Sequence, residues 1–380
     1  DKTTPEGNIT VGENHFSTFL NKITFGLFFK ENTELTISAK DDRSGLSEIA
    51  YLRSEQPLTK EELLADSTEW KSYTGTITMN AVDADKFIYY GKITDSAGNV
   101  TLISTDGMVF DTTVPTFTGI TPDASYYTTQ KVTVNDTNLD SVTVNEKKVE
   151  GTTFTLAGNT DATYTIVAKD KAGNSASITV QMKSISNLAP SNTVTTTDKQ
   201  QLEDKKDLIT GLLKDENLTE QEKEQLQTIL DQVNTDLEQI ESAQAAGSTE
   251  NIDKIINLNP DKVQTSDKAD LEAAKNDLED ALDAYEDVFT QEEKEQLQTI
   301  LDKVNDALDR IESAQAAGST ESIDKIINLD PDKVQTSDKT DLEAAKNDLE
   351  AALDTYEDVF TQEEKEKLQT ILDKVNTALE

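Results

Sequence analysis

The sequence predicts a multidomain β-then-α chain: two antiparallel β-sandwiches followed by tandem three-helix-bundle repeats, in an elongated arrangement. Two observations carry that prediction. The first half alternates apolar and polar residues between closely spaced turn signals, the signature of half-buried strands. The second half changes to helical periodicity, and its segment from Phe289 to Asn305 occurs three times with small changes. Its leucine falls at Leu226, Leu297 and Leu368, a period of 71 residues, which marks an array of helical modules. At 380 residues and 35% hydrophobic content, the chain has room for several ordinary domains with small cores.

Residues 1–113 are predicted as a sandwich with a short inserted helix. Phe16 to Phe29 alternates through Ile23, Phe25 and Leu27, and Glu34 to Ala39 places Leu35, Ile37 and Ala39 on one face. Further strands are expected at Ile49 to Leu52, Thr76 to Met79, Phe87 to Ile93 and Val100 to Ile103. Thr59-Lys60-Glu61-Glu62 is a capping box, so a helix should begin there and end before Trp70. Asp41-Asp42-Arg43-Ser44-Gly45 and Asp95-Ser96-Ala97-Gly98-Asn99 are turns.

Residues 114–183 are predicted as a smaller sandwich. Its strands are Thr116 to Ile120, Lys131 to Val134, Ser141 to Val144, Thr153 to Leu156, Tyr164 to Ala168 and Ser177 to Met182. Asp170-Lys171-Ala172-Gly173-Asn174 repeats the Asp-x-Ala-Gly-Asn turn that begins at Asp95. The joint Asp111-Thr112-Thr113-Val114-Pro115, the runs Val132 to Asp136 and Val142 to Asn145, and the two turns resemble the bacterial immunoglobulin-like (Big-type) modules of Gram-positive surface proteins. That resemblance implies two immunoglobulin-like β-sandwiches and is specific for the module, not for a function.

Residues 184–197 form a linker around Pro190, after which helices take over. Helix A of each repeat is typified by Ser266-Asp267-Lys268 as an N-terminal signal, with Leu271, Ala274, Leu278, Leu282 and Tyr285 on one face. Helix B begins at Thr290, with Glu293 completing a capping box, and turns Leu297, Ile300, Leu301, Val304, Leu308 and Ile311 inward. Counted to Ala316 it is a rod of about 40 Å, and Gly318 is expected to stop it. Helix C, Ser319 to Leu329, is halted by Pro331. The matching segments Asn187 to Pro190, Asn257 to Pro260 and Asn328 to Pro331 set the order C-A-B and the repeats 184–247, 248–318 and 319–380. The first lacks most of helix C, as terminal repeats do. Acidic three-helix repeats behind immunoglobulin-like modules resemble the wall-proximal region of surface proteins from gut clostridia.

Charge is distributed unevenly. Residues 1–190 hold 16 Lys and Arg against 25 Asp and Glu, net −9, whereas residues 191–380 hold 19 against 49, net −30. So acidic a surface repels phosphate backbones and anionic lipid, which disfavours nucleic acid. No run of 18 apolar residues occurs, so no membrane insertion is predicted. Cysteine is absent, which removes disulfides and thiolate chemistry and is compatible with export. The chain starts at Asp1 and stops within helical text at Glu380, so it is expected to be a monomeric piece of a larger chain.

No catalytic set is present, and no cofactor is predicted. His15 is the single histidine and, alone, makes neither a zinc site nor a nucleophile–base pair. Asp41, Asp42 and Asp95 are candidates for Ca²⁺, although neither acidic turn has EF-hand spacing. Phe25, Phe28, Phe29, Trp70 and Tyr73 are expected in the sandwich core in preference to a sugar-stacking platform. A lysine-to-asparagine isopeptide cross-link would need Lys, Asn and an acid buried together. Tyr285, Phe289, Tyr356 and Phe360 recur where helix A meets helix B; they plug a bundle end or, as the sharper alternative, Phe289 and Phe360 anchor a partner. The outward face of helix B, Glu292, Glu295, Gln298 and Asp302, is where a partner would bind.

The function expected is that of a non-enzymatic extracellular stalk or presentation segment of a bacterial cell-surface protein, wall-anchored or secreted. One alternative is an adhesin-like array that binds a host extracellular protein, an immunoglobulin or another glycoprotein, by avidity, since the repeats resemble immunoglobulin- and albumin-binding modules in architecture. Another is the C-terminal accessory tail of a secreted glycosidase or peptidase.

Overall fold

The structure is a computed structural model that describes residues 1–328 and 330–380, with the backbone alone at Thr336; Leu329, placed above at the end of the third helix C, lies outside the described residues. The chain divides into two compact units, Asp1–Asn187 with Asp215–Thr219, and Leu188–Lys214 with Glu220–Glu380. The layout is β first and α second, as predicted.

The first sandwich contains β1 (Glu6–Val11), β2 (Asn14–Phe16), β3 (Leu27–Phe29), β4 (Thr33–Lys40), β5 (Leu46–Ser54), helix α1 (Lys60–Leu64), β6 (Lys71–Ser72), β7 (Ile77–Met79), β8 (Lys86–Asp95), β9 (Val100–Ser104) and β10 (Met108–Phe110). One sheet runs β2-β1-β4-β7; the other runs β3-β10-β8-β5-β6, with β9 also paired to β8. The register of β1 on β4 sets Ile9 opposite Ile37 and Val11 opposite Leu35. These four meet Phe87, Ile93, Ile103 and Phe110 in the inner core. β1 escaped the sequence reading because Gly7 and Asn8 are poor strand formers. The glycine is there for space: a Cβ on Gly7 would lie 1.8 Å from Ile93 Cδ1.

The alternation between Phe16 and Phe29 does not make one strand. Residues 17–26 form a strap over the outer face of the second sheet, where Phe19, Ile23 and Phe25 join Leu63 and Trp70 around Ile88 and Tyr90. β8 is therefore buried on both faces, with Phe87 and Tyr89 inward and Ile88 and Tyr90 outward. Phe25 has φ 54°, unusual for a bulky residue. It is held because its ring lies on Gly107, where a Cβ would come within 2.3 Å, and because the Thr24 N–H donates to Asp106 at 2.6 Å. Helix α1 forms as expected: the Glu62 backbone N–H donates to Thr59 Oγ1 (3.2 Å) and the Thr59 N–H to Glu62 Oε2 (2.7 Å).

The second sandwich contains β11 (Thr116–Thr118), β12 (Ser125–Tyr126), β13 (Gln130–Asn135), β14 (Leu139–Val144), β15 (Lys147–Val149), β16 (Thr153–Leu156), β17 (Ala162–Asp170) and β18 (Ser175–Met182). A three-stranded sheet β11-β13-β16 faces a five-stranded sheet β12-β18-β17-β14-β15 across a core that includes Val132, Val142, Ile166 and Val180. All six predicted strands are present. Two further strands, β12 and β15, were not predicted; β15 follows β14 through Asn145 and Glu146, whose φ values of 47° and 67° suit a tight two-residue hairpin.

The helical unit contains α2 (Lys199–Leu212), α3 (Glu220–Ala246), α4 (Glu250–Ile255), α5 (Lys268–Ala284), α6 (Gln291–Gly318), α7 (Glu321–Ile326), α8 (Lys339–Thr355) and α9 (Gln362–Leu379). Of the predicted inward residues, Leu271, Ala274, Leu278, Leu297, Leu301, Val304, Leu308 and Ile311 are buried, and Leu282, Tyr285 and Ile300 are half-buried against the same core. Gly318 is the last residue of α6, and the helix is capped by Ser319. The short helix C is a turn and a half, with Thr249 and Thr320 as its N-caps.

The repeats are not sealed from one another. α6 packs on α5 of its own repeat and on α8 of the next, and α3 packs on α5 in the same way. One core runs without a break from Ala243 to Val375. Position 236 interrupts the pattern in the first repeat, since Asp236 stands where the following repeats have Ala307 and Ala378. Asp236 is 5% exposed; its Oδ1 accepts from Gln232 Nε2 at 2.8 Å, and its Oδ2 has no hydrogen-bond partner among the described residues.

Candidate functional site

The two Asp-x-Ala-Gly-Asn turns build the same device at the entrance of each sandwich. In the first, Gly98 takes φ 87°, Asp95 Oδ1 accepts from the Asn99 N–H at 2.7 Å, and Asn99 Nδ2 donates to Asp95 Oδ2 at 2.7 Å and to the Thr3 carbonyl at 3.2 Å. In the second, Gly173 takes φ 88°, Asp170 Oδ1 accepts from the Asn174 N–H at 2.8 Å, and Asn174 Nδ2 donates to Asp170 Oδ2 at 2.6 Å and to the Asp111 carbonyl at 2.9 Å. Glycine supplies the left-handed φ at little cost, and the asparagine ties the incoming chain to the module it enters.

Each device gathers three carboxylates. Asp1, Asp41 and Asp95 form one group and Asp111, Asp136 and Asp170 the other, each with oxygens within 4.8 Å of one another. Asp41 and Asp95, taken from the sequence as Ca²⁺ candidates, do come together. Asp42 does not join them: it points to Lys40 Nζ at 3.7 Å, and Asp1 takes the third place. The second group was missed because its members are far apart in the chain. The signal available was the pairing of Asp-x-Thr-x-Pro with Asp-x-Ala-Gly-Asn, present in both modules.

The groups differ electrostatically. Burial pushes the Asp41 and Asp95 carboxyls up, but N–H donors outweigh it, from Gly45 and Arg43 at Asp41 and from Asn99 at Asp95, and both end below the ordinary aspartate range. Asp136 goes the other way. Burial and then the negative charges of Asp111, Asp170 and Asp83 raise it, and the Asn138 N–H only partly offsets them. Such oxygen-rich groups suit a hard cation, whose full shell needs about six or more oxygens.

The outward face of helix B is largely self-satisfied. Glu292, Glu295, Gln298 and Asp302 are exposed, as expected. Gln298 Nε2 donates to Asp302 Oδ1 (2.8 Å), Gln291 Nε2 to Glu295 Oε1 (2.9 Å) and Gln296 Nε2 to Glu292 Oε1 (3.4 Å), each across one helical turn. Phe289 and Phe360 require a correction as partner anchors, because they are 5% and 3% exposed. They sit in the continuous helical core, with Tyr285 edge-on to Phe289 at 6.4 Å. The physical reason is a glycine at the end of the preceding helix B: a Cβ on Gly247 or Gly318 would meet these rings at 3.3 and 3.2 Å.

The other candidates are dispersed. His15 is exposed, 3.0 Å from Thr10 Oγ1 through Nδ1. Phe29 and Tyr73 pack on the inner core of the first sandwich, Phe25 and Trp70 on its outer layer, and Lys171 lies over Phe28, so these rings form no common platform. No lysine is buried among the described residues, which leaves an isopeptide cross-link without its amine. No helix among the described residues is long and apolar enough to cross a membrane.

No protein-family model matches the chain, and no curated protein matches it. Solved structures similar to it include fibronectin(III)-like modules of Clostridium thermocellum CbhA, at 9% identity over 46% of this chain and 94% of that one, with a TM-score of 0.24. Murine CEACAM1b matches at 10% identity over 41% and 94%, TM-score 0.27. The FN1–FN3 domains of chicken CNTN1 match at 14% identity over 43% and 66%, TM-score 0.21. Likeness at this level carries no functional argument, and the sandwiches rest on their own strand order.

Proposed function

We propose that this chain is a non-enzymatic extracellular segment of a bacterial surface protein, in which Big-type immunoglobulin-like modules and acidic helical repeats act as a stalk that holds other parts away from the surface. One observation supports this reading above the others: the most repeated text is spent on the fold itself. Its apolar residues point into the core, and its outward acids and glutamines bond to one another along the helix. The net charge of −39 keeps such a segment apart from anionic polymers, an effect that salt screens beyond about 8 Å. The role requires no cofactor.

A second reading, recognition of a host extracellular protein by avidity, is favoured by Ile256 and Ile327. They occupy equivalent positions 71 residues apart and are 50% and 48% exposed, so a partner would meet the same apolar contact twice. Pull-down of serum and mucin proteins with the full chain separates the two. The stalk predicts no saturable partner. Saturable capture of a defined protein, lost in the Ile256→Ser and Ile327→Ser double variant, would replace it with the binding array.

A further inference from the structure

The recurring Phe-Thr-x-x-Glu text at the start of helix B does more than cap a helix. In the second repeat, Phe289 lies on Gly247, the Val288 carbonyl accepts from the Thr196 N–H at 3.0 Å, and Glu293 Oε2 accepts from Thr196 Oγ1 at 2.5 Å. Gly247 and Thr196 both belong to the repeat before. The third repeat does the same one step on: Phe360 lies on Gly318, the Val359 carbonyl accepts from the Thr265 N–H at 2.9 Å, and Glu364 Oε2 accepts from the Thr265 hydroxyl. Both threonines are 7% exposed, so their hydroxyls are committed to the neighbouring repeat.

Each glutamate oxygen serves two partners at once. Glu293 Oε2 also accepts from Thr290 N (2.8 Å) and Thr290 Oγ1 (2.9 Å), and Glu364 Oε2 from Thr361 N (2.8 Å) and Thr361 Oγ1 (2.9 Å). A charged acceptor shared between an N-cap and a neighbour links helix formation in one repeat to docking of the one before. The sequence marks the same distinction. The first repeat carries the capping pair Thr219 and Glu222 but has Leu218 where the two repeats with an upstream neighbour carry phenylalanine.

We infer that Phe-Thr-x-x-Glu is a coupling motif: an interaction surface whose partner is the glycine end of helix B and the buried threonine of the preceding repeat, and which makes adjacent repeats open together. The coupling is independent of whether the region presents or binds anything.

The test is hydrogen exchange on the full chain, following peptides from α5 and α6 against those from α8 and α9. In the parent the two sets should exchange with the same opening equilibrium. Thr265→Val keeps the side-chain shape and removes only the hydroxyl donor, leaving the Thr361–Glu364 box in place. It should raise opening of α8 and α9 relative to α5 and α6 by about tenfold, the usual worth of a hydrogen bond to a charged group. Thr265→Ser should restore the parent ratio. Phe360→Leu, which installs the residue of the first repeat, should shift the ratio in the same direction as Thr265→Val. Thr249→Val is the control, since Thr249 Oγ1 donates to Asp277 Oδ2 at 2.6 Å within a single repeat; it should speed opening without splitting the two sets. An unchanged ratio in both Thr265→Val and Phe360→Leu, or equal splitting by Thr249→Val, would overturn the inference.

Discussion

The β and the helical regions solve the problem of joining modules in opposite ways. Between the sandwiches the joint is polar: Asn138 Nδ2 donates to Asp111 Oδ2 at 2.7 Å, Asn174 holds the Asp111 carbonyl, and each sandwich keeps its own core. Between the helical repeats the joint is a core, continuous from Ala243 to Val375, with a hydroxyl-to-carboxylate bond at its edge. The difference teaches that a sequence repeat and a folding unit need not coincide. A sandwich of about 70 to 110 residues closes around its own side chains, whereas a helical repeat leaves part of helix B for its neighbour to cover.

The largest expected effect tests the helical side of this contrast. Leu301→Ala, at a 7%-exposed position in the shared core, should cost about 2–5 kcal/mol in chemical denaturation of the helical signal. The β signal should keep its midpoint; a loss in the β signal would break the contrast. Asp236→Ala should act in the opposite direction. It replaces a buried carboxylate that has one unpartnered oxygen with the residue the other repeats use, and should stabilise the first repeat by about 1–3 kcal/mol in the same assay.

Acid should separate the two regions further. At Glu293 and Glu364, partial burial raises the carboxyls, but the threonine hydrogen bonds outweigh it and leave both below the ordinary glutamate range. Their contribution is therefore complete above the unfolded value of about 4.3 and is lost as pH falls through the lower folded value. Asp136 is raised, so its charge burdens the second sandwich at neutral pH, and that burden lifts as pH falls through its folded value. Between about pH 6 and 4, thermal melts should show the helical signal flat and the β signal steady or rising. The smallest effect follows from the same charge: in metal-free buffer at pH 7, Asp136→Asn should stabilise the second sandwich by about 0.5–1 kcal/mol, and should do nothing at pH 3.

What was legible in the sequence was local. The capping boxes at Thr59 and Thr290, the inward leucines of helix B and six of the eight strands of the second sandwich depend on residues a few places apart. What was not legible depended on distant partners. The alternation through Ile23 and Phe25 serves a strap over a sheet as well as it serves a strand, and the contacts with Gly107 and Asp106 that hold the strap are distant in the chain. Phe289 could be an exposed anchor or a plug until Gly247 is placed against it. Asp111 reads in the sequence as part of a domain joint, and its grouping with Asp136 and Asp170 depends on distant parts of the chain. The outward face of helix B follows from its period, but the glutamine bonds that satisfy it depend on side-chain positions.

The most direct measurement is calorimetry of the full chain with circular dichroism at 222 nm recorded over the same melt. If the second and third repeats share the core that runs from Ala243 to Val375, their helical signal is lost in one transition whose van't Hoff enthalpy agrees with the calorimetric enthalpy of that step. Separate steps for the second and third repeats would contradict the shared core and return the array to independent bundles.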